Sequence, residues 1–472
     1  MSKTYRKAVF IFRRDLRLED NQGLLAALEA AEDVIPLFIF DPAQIDPQKN
    51  EYFSAPAFQF MLHSLQELND ALKERGSRLY TCENSQADIV ESLITKDGVD
   101  AVFVNKDYTP FARKRDGAIA DVCQQHDVFF ARHDDCTLAH LEDIRTNQDK
   151  LYTVFTPFMK KAAEQDVPEP RKNNFSNYFS AALTTPTVAL ADYTIDIGDR
   201  ELILAGGRSE ALEILRENDY LNQYQEKRNL PALKNTSRLS AHHKFGTISI
   251  RESYHMAKSA RTNSDHFISE LYWRDFYLYI SYHFPQVFTK SFLPWAKHIE
   301  WVNDKKQFAA WCKGATGVPM VDAGMRELNH SGWIHNRSRM IVASYLTKNL
   351  LINWQWGEQY FAQNLIDYDP SQNNGGWQWS ASTGADPRPM RIFNPYTQAQ
   401  KYDEDAAYIK QWVPELRDVP DEKLTGGKTI DFSEYTAAYP VPLVDQTESF
   451  HRANDVYKAA KAAYKREHEE TN

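Results

Sequence analysis

The first third of the chain alternates short apolar runs with amphipathic helical stretches, and that order leaves few folds open. AVFIF (8–12), VIPLFIF (34–40), SRLYT (77–81), DAVFV (100–104) and VFFAR (128–132) have the length and residue types of strands. Between them, 22–31, 56–75, 87–96 and 110–126 carry helix formers at helical spacing. In the second of these, Phe58, Met61, Leu62, Leu65 and Leu68 recur at steps of three and four. A βαβα series of this kind predicts a parallel sheet with helices on both faces. The turn after the first strand, FRRDLRLEDNQG, lacks Gly-x-Gly-x-x-Gly, so a dinucleotide phosphate cradle is not expected there. The pair Asp20-Asn21 is expected to cap the following helix.

From about 135 to 205 the pattern fades into KNNFSNYFSAALTTPTVALADYTIDIGD, rich in Asn, Ser, Thr and Pro. So long a loop is uncommon inside one domain and reads as an inter-domain crossing. Beyond 205 almost every segment is helical, including SDHFISELYWRDFYLYISYHF, VDAGMRELN, WIHNRSRMIVASYLTKNLL and GEQYFAQNLI. The expected organisation is an α/β domain over 1–135, a linker over 136–205 and an all-α domain over 206–472. The final segment, ANDVYKAAKAAYKREHEE, is expected to be a solvated, charged helix.

A net charge of −10 argues against global attraction to nucleic acid but leaves room for a local basic patch. Cys82, Cys123, Cys136 and Cys312 form no CxxC pair, which points to free thiols in a reducing compartment. The first apolar run is too short for a signal sequence, and no stretch approaches the ~20 apolar residues of a membrane helix. A soluble, cytoplasmic protein is expected.

Four stretches of the helical half carry more chemistry than packing requires. In TSRLS (236–240), two hydroxyls and an arginine precede a helix, as either a cap or an anion site would have them. In SELYWRDFYLY, Glu270, Trp273 and Arg274 share one helix face, as a salt bridge or as a stacking surface beside a carboxylate. In GWIHNRSRM, Asn336, Arg339 and Met340 share a face beside Arg337 and Trp333, suiting a planar, partly anionic ligand or a basic surface. The fourth is LIDYDPSQNNGGWQWSASTGADPRPMRIFNP, where Asn and Gly form an expected turn leading into a helix. At about 100° per residue, Trp377 and Trp379 then point roughly 200° apart. Asp367 and Asp369 lack further residues at ligand spacing, so no metal site is expected.

These residues resemble the DNA photolyase/cryptochrome family, in the ordered series FIFRRDLRLEDN, TSRLS, ELYWRDFY, GWIHNRSRMIVASYL, IDYDPSQNNGGWQW and RIFNPYTQAQKYD. The forms HNRSRM and WQW are most similar to class I cyclobutane pyrimidine dimer photolyases. The resemblance implies a Rossmann-like antenna domain, a long linker and a helical domain holding a U-shaped FAD, active when reduced and anionic. It implies that Tyr224 and Thr236, Ser237, Arg238, Leu239 and Ser240 hold the FAD phosphates, and that Phe267 lines the flavin. Arg274, Trp333, Arg339, Asp367 and Asp369 would surround the flavin and ribityl chain, with Asn373 and Asn336 close to its reactive edge. Trp273 and Trp379 would form two walls for a flipped-out dimer, Glu270 and Asn336 would bond its base edges, and Met340 would floor the pocket. Arg337, Arg388 and Arg391 would hold DNA phosphates, while Trp377, Trp354 and Trp301 would carry electrons between flavin and surface. The implied function is light-driven dimer repair by a monomeric enzyme acting on damaged DNA. A blue-light receptor without repair activity, or repair of (6-4) photoproducts, is the alternative. In NKDYTP (105–110), Thr109 stands where folate-binding members carry an acid, so a folate, a deazaflavin, a flavin or no antenna chromophore remains open.

Overall fold

A computed structural model describes residues 3–469, apart from 234, 261, 263, 388, 389 and 429. Five parallel strands, β1 (Tyr5–Phe12), β2 (Ala31–Phe40), β3 (Tyr80–Glu83), β4 (Ala101–Asn105) and β5 (Phe129–His133), lie in the order β3-β2-β1-β4-β5. Each side of β1 is paired, with Phe10 opposite Pro36 on β2 and Phe103 on β4. Alternation splits its residues between two cores: Ala8, Phe10 and Phe12 pack in one, Val9 and Ile11 in the other. That double burial is why the strands read as unbroken apolar runs.

Asn21 caps the helix Gln22–Ala30 by accepting from Leu24 N, as expected. Asp20 does something else: its carboxylate accepts from Arg251 Nε at 2.8 Å. β3 begins later than the expected 77–81, at Tyr80, and the Ser77 hydroxyl and Arg78 guanidinium before it donate to the carbonyls of Phe179 and Ala181.

The crossing segment is more structured than its composition suggests. It holds a helix, Phe155–Ala162, that buries Phe155, Phe158 and Ala162, and Tyr178 bridges to Val34 at the edge of β2. The two halves are joined by buried charge: Arg17 meets Asp135 at 2.7 Å, and Arg251 from the helical half reaches Asp135 at 2.9 Å. Removing any one partner leaves an uncompensated buried charge, so this joint favours a fixed relation between the halves.

In the helical half, Asp265–His283 packs against Pro370–Ser380, while Asn336–Ser344 runs into a π-helical turn, Tyr345–Asn349, all of it buried. The last helix, Gln446–Glu469, corrects the expectation of a solvated element. Ala453, Tyr457 and Ala460 form a buried stripe, and Tyr457 Oη donates to Ala381 O at 2.9 Å. No helix among the described residues is long and apolar enough to cross a membrane.

Candidate functional site

The helix Pro370–Ser380 organises the site, and it starts earlier than its Asn-Gly run suggests. Asp369 is the N-cap, accepting from Ser371 N at 2.9 Å and Gln372 N at 3.1 Å, and Pro370 fills the first turn. Asn373, Asn374, Gly375 and Gly376 are therefore helical rather than a turn. Their small size has tertiary reasons. A Cβ at Gly375 would collide with the ring of Tyr277, whereas Gly376 faces open space.

That open space is a cavity of about 470 Å³ between Asp265–His283, Asn336–Ser344 and Pro370–Ser380. Its lining gathers most of the expected residues: Tyr224, Ser237, Leu239, Ser240, Phe267, Glu270, Trp273, Arg274 and Trp333 from earlier segments. Asn336, Arg339, Met340, Asp367, Asp369, Asn373, Trp377 and Trp379 complete that set. Arg228, His243, Lys244, Tyr277 and Gly376 also line it and were not anticipated. His243 and Lys244 follow Ser240 on one helical face, a signal present in the sequence. Arg228 had none.

Several polar groups differ in detail from expectation. Glu270 pairs with Arg228 at 2.6 Å rather than with Arg274. Arg274 donates to the backbone carbonyls of Cys136 and His243, so its guanidinium belongs to the wall. Asp369 pairs with Arg14 of the α/β half; burial opposes ionisation, but Arg14 and Lys244 hold the carboxyl down at about 2. Thr236 and Arg238 are not among the lining residues, and the Arg238 guanidinium lies 5.3 Å from the centre of the Trp333 ring. Arg337 stacks on Tyr402 at 4.2 Å and donates to Asn229 at 2.6 Å. Arg391 lies outside the cavity, beside a small recess under Trp379. Arg388 lies outside the described residues.

The remaining groups suit a large planar ligand with a polar edge. Arg339 Nη2 contacts Asp367 Oδ2 at 2.8 Å, while Asp367 Oδ1 is buried with no hydrogen-bond partner among the described residues. A buried acceptor of this kind calls for a donor. Asn373 Nδ2 donates to Glu358 O at 2.9 Å, leaving the amide oxygen as its group for the cavity. Asn336 is exposed at the mouth, with Nδ2 4.0 Å from Met340 Sδ. His335 caps its own helix by accepting from Arg337 N; burial drives the imidazole down to about 3, which keeps it neutral.

Trp377 and Trp379 point apart as the helical rotation requires. Trp377 is 3 % exposed, its ring 4.9 Å from Phe361 and 6.0 Å from Trp311, a tryptophan not singled out from sequence. Trp354 is buried and Nε1 donates to Ser291 Oγ at 3.2 Å, and Trp301 is partly exposed beside Tyr457 at 6.4 Å. Trp273, which lines the same cavity as Trp379, stacks on Phe155 with ring centres 3.7 Å apart and planes 10° from parallel.

Comparison with known proteins gives this arrangement a family. A family model for DNA photolyase matches residues 8–173, and one for the FAD binding domain of DNA photolyase matches residues 267–459. A deoxyribodipyrimidine photo-lyase of Synechococcus is 36% identical, covering 96% of this chain and 97% of its own. One from Halobacterium salinarum is 34% identical, covering 96% and 99%. Among solved structures, an archaeal photolyase from Sulfolobus tokodaii with two FAD molecules superposes with a TM-score of 0.86 at 39% identity, covering 96% of this chain and all (100%) of its own. A class III photolyase from Agrobacterium tumefaciens gives 0.89 at 32% identity, covering 98% and 99%. With relatives above 30% identity along nearly its whole length, this chain belongs to the DNA photolyase family.

Proposed function

We infer that this chain is a deoxyribodipyrimidine photo-lyase that binds FAD in the helical cavity and repairs cyclobutane pyrimidine dimers in DNA under light. The observation that carries the reading is one cavity lined by the polar groups Arg339, Asp367 and Asn373 and by two indoles, Trp273 and Trp379. When bound and fully reduced, FAD supplies the light-driven electron that splits the dimer and takes it back.

The protein's share is binding, orientation and electrostatics. The unsatisfied Asp367 oxygen and the Arg339 guanidinium suit the donors and the negative charge of a reduced flavin ring. Asn373 offers an amide oxygen, a neutral acceptor that cannot exchange a proton as a carboxyl would. Tyr224, Ser237, Leu239 and Ser240 line the end of the cavity suited to the phosphates, with Phe267 and Trp333 as apolar wall. At the mouth, Trp273 and Trp379 would sandwich a dimer turned out of the duplex, at a cost lowered by its poor stacking. Glu270, held by Arg228, and Asn336 would bond the base edges, over Met340. Arg337, Arg388 and Arg391 would bind phosphates, so affinity should fall as salt rises. Trp377, Trp354 and Trp301 run from core to partly exposed surface, the gradient a light-driven reduction path needs.

His335, spent on a helix cap, does not supply the imidazole that (6-4) repair would want. We further read the protein as a monomer, and as cytoplasmic, the latter supported by four cysteines that are all free. A second chromophore fits the neighbour that holds two FAD molecules, and a near-UV or violet band beside the blue flavin bands would reveal it. The deciding experiment irradiates reduced holoprotein with duplex DNA carrying one thymine dimer. Light-dependent loss of the dimer is expected, and its absence overturns the assignment.

A further inference from the structure

The cavity mouth draws on two helices, and a third segment touches one of them and the chain just beyond the other. Phe155, 7 % exposed, covers one face of Trp273 in parallel stacking and meets Phe276 edge-on at 5.9 Å. Beyond Trp379, the chain passes through a tight bend in which Ser382 and Asp386 both have left-handed backbones, with φ of 59° and 53°. Asp386 is 3 % exposed, and its N–H donates to Thr153 O at 2.7 Å. Its carboxylate in turn accepts from Phe155 N at 3.1 Å. Asp tolerates this conformation better than most side chains, and at Asp386 it is further fixed by buried contacts. Here those contacts lead to the backbone on either side of Val154.

We propose that residues 153–155 are a tie that sets the spacing of the two tryptophan walls, with Phe155 and Asp386 as positioning residues for lesion binding. Phe155 fixes the rotation of the Trp273 ring by occupying its rear face, so the face turned to the cavity is presented in one orientation. Asp386 fixes where the chain goes after Trp379, at the end of the Pro370–Ser380 helix. Because both contacts end on one short stretch, the slot between the indoles cannot widen without breaking a stacking contact or a pair of hydrogen bonds. Neither residue touches the lesion. The inference rests on the lesion-binding reading of the mouth, and it adds that slot width is controlled from the inter-domain crossing.

The test uses full-length, FAD-loaded protein and three variants. Asp386→Gly relaxes the left-handed backbone but removes the acceptor, which separates the tie from strain. Phe155→Leu keeps an apolar group but loses the flat ring, and Asp386→Asn keeps an oxygen acceptor in a residue that tolerates the conformation. Dissociation constants are measured for a duplex with one thymine dimer and for the same duplex undamaged, together with flavin absorbance and repair rate at saturating DNA. Asp386→Gly and Phe155→Leu should each weaken dimer binding about tenfold, on the scale of one lost base-stacking contact. Undamaged-DNA binding, bound flavin and the saturated repair rate should stay near wild type, and Asp386→Asn should restore dimer affinity. Unchanged dimer affinity in both of the first two variants overturns the proposal, as does an equal loss for undamaged DNA or loss of the flavin. A wild-type protein with no preference for the dimer would instead sink the underlying reading.

Discussion

The two faces of the helix Pro370–Ser380 are built to opposite rules. On the inward face, Trp377 sits among Phe361 and Trp311, while Asn374 and Gln378 each donate to Val287 O at 3.0 Å. Asn374 and Gln378 also bond each other at 2.9 Å, and the indole is packed on several sides. On the outward face, Gly376 borders empty space and Trp379 has a loosely tilted aromatic neighbour, Phe393, at 6.4 Å. One helix thus presents a finished surface to the core and an unfinished one to the cavity. A large flat ring that is only loosely packed marks a binding surface.

The strongest way to probe the finished face is through its one strained member. Glu358 lies behind Asn373 and Asn374, and burial pushes its carboxyl up to about 7, only partly offset by the amide of Asn374 donating at 2.9 Å. A carboxyl raised in the folded state binds more protons there than in the unfolded chain between its ordinary 4.5 and about 7. Its penalty is therefore absent below 4.5 and complete above 7, amounting to about 3 kcal/mol. Glu358→Gln keeps an acceptor for Asn374 and removes the charge. Thermal melting of the holoprotein should show the variant more stable than wild type at pH 8 and nearly equal to it at pH 4.5. A gain of the same size at both values would show that the carboxyl does not titrate in this window.

Trp377→Phe attacks the same face through function rather than stability. Phenylalanine fills most of the indole's space but is not readily oxidised, so the flavin loses its nearest donor on the proposed path. Photoreduction of the oxidised holoprotein should slow by roughly ten- to a hundredfold, or about 1.4–2.7 kcal/mol in barrier. Repair by chemically pre-reduced enzyme should be unaffected. Unchanged photoreduction would move attention to another aromatic route, and Trp311 is in ring contact with Trp377 to provide one.

How much of this was legible beforehand follows the same divide between local and tertiary causes. β1, β2 and β4 were readable because they are buried along most of their length, β5 was readable from its residue types although Phe129 is exposed, and β3 begins later than its apolar run suggests. The start of Pro370–Ser380 was misread because Asn-Gly normally signals a turn, although Asp369-Pro370 carried the cap and first-turn signal all along. What excuses the glycines is the ring of Tyr277, invisible to local reasoning. The i, i+4 logic that paired Glu270 with Arg274 was sound for an isolated helix but lost to Arg228, brought in from another segment. The helix Phe155–Ala162 and the buried stripe of the last helix had regular apolar spacing, overlooked amid polar neighbours.

The unfinished face makes the mildest prediction and the most discriminating one. If Trp379 is left without close packing in order to receive a dimer, truncating it should cost the fold little and the ligand much. Trp379→Ala should keep flavin absorbance and melting temperature near wild type, because the ring borders the cavity and contributes little to the core. Dimer affinity should fall about tenfold, the lower part of the range for a lost base-stacking contact, since Trp273 still offers its own face. Trp273→Ala provides the contrast: its ring contacts Phe155, Phe276 and Tyr277, so its loss should lower both affinity and stability. Should Trp379→Ala instead destabilise the protein while dimer binding holds, the outward face is packing after all. The asymmetry between the two sides of the helix would then need another explanation.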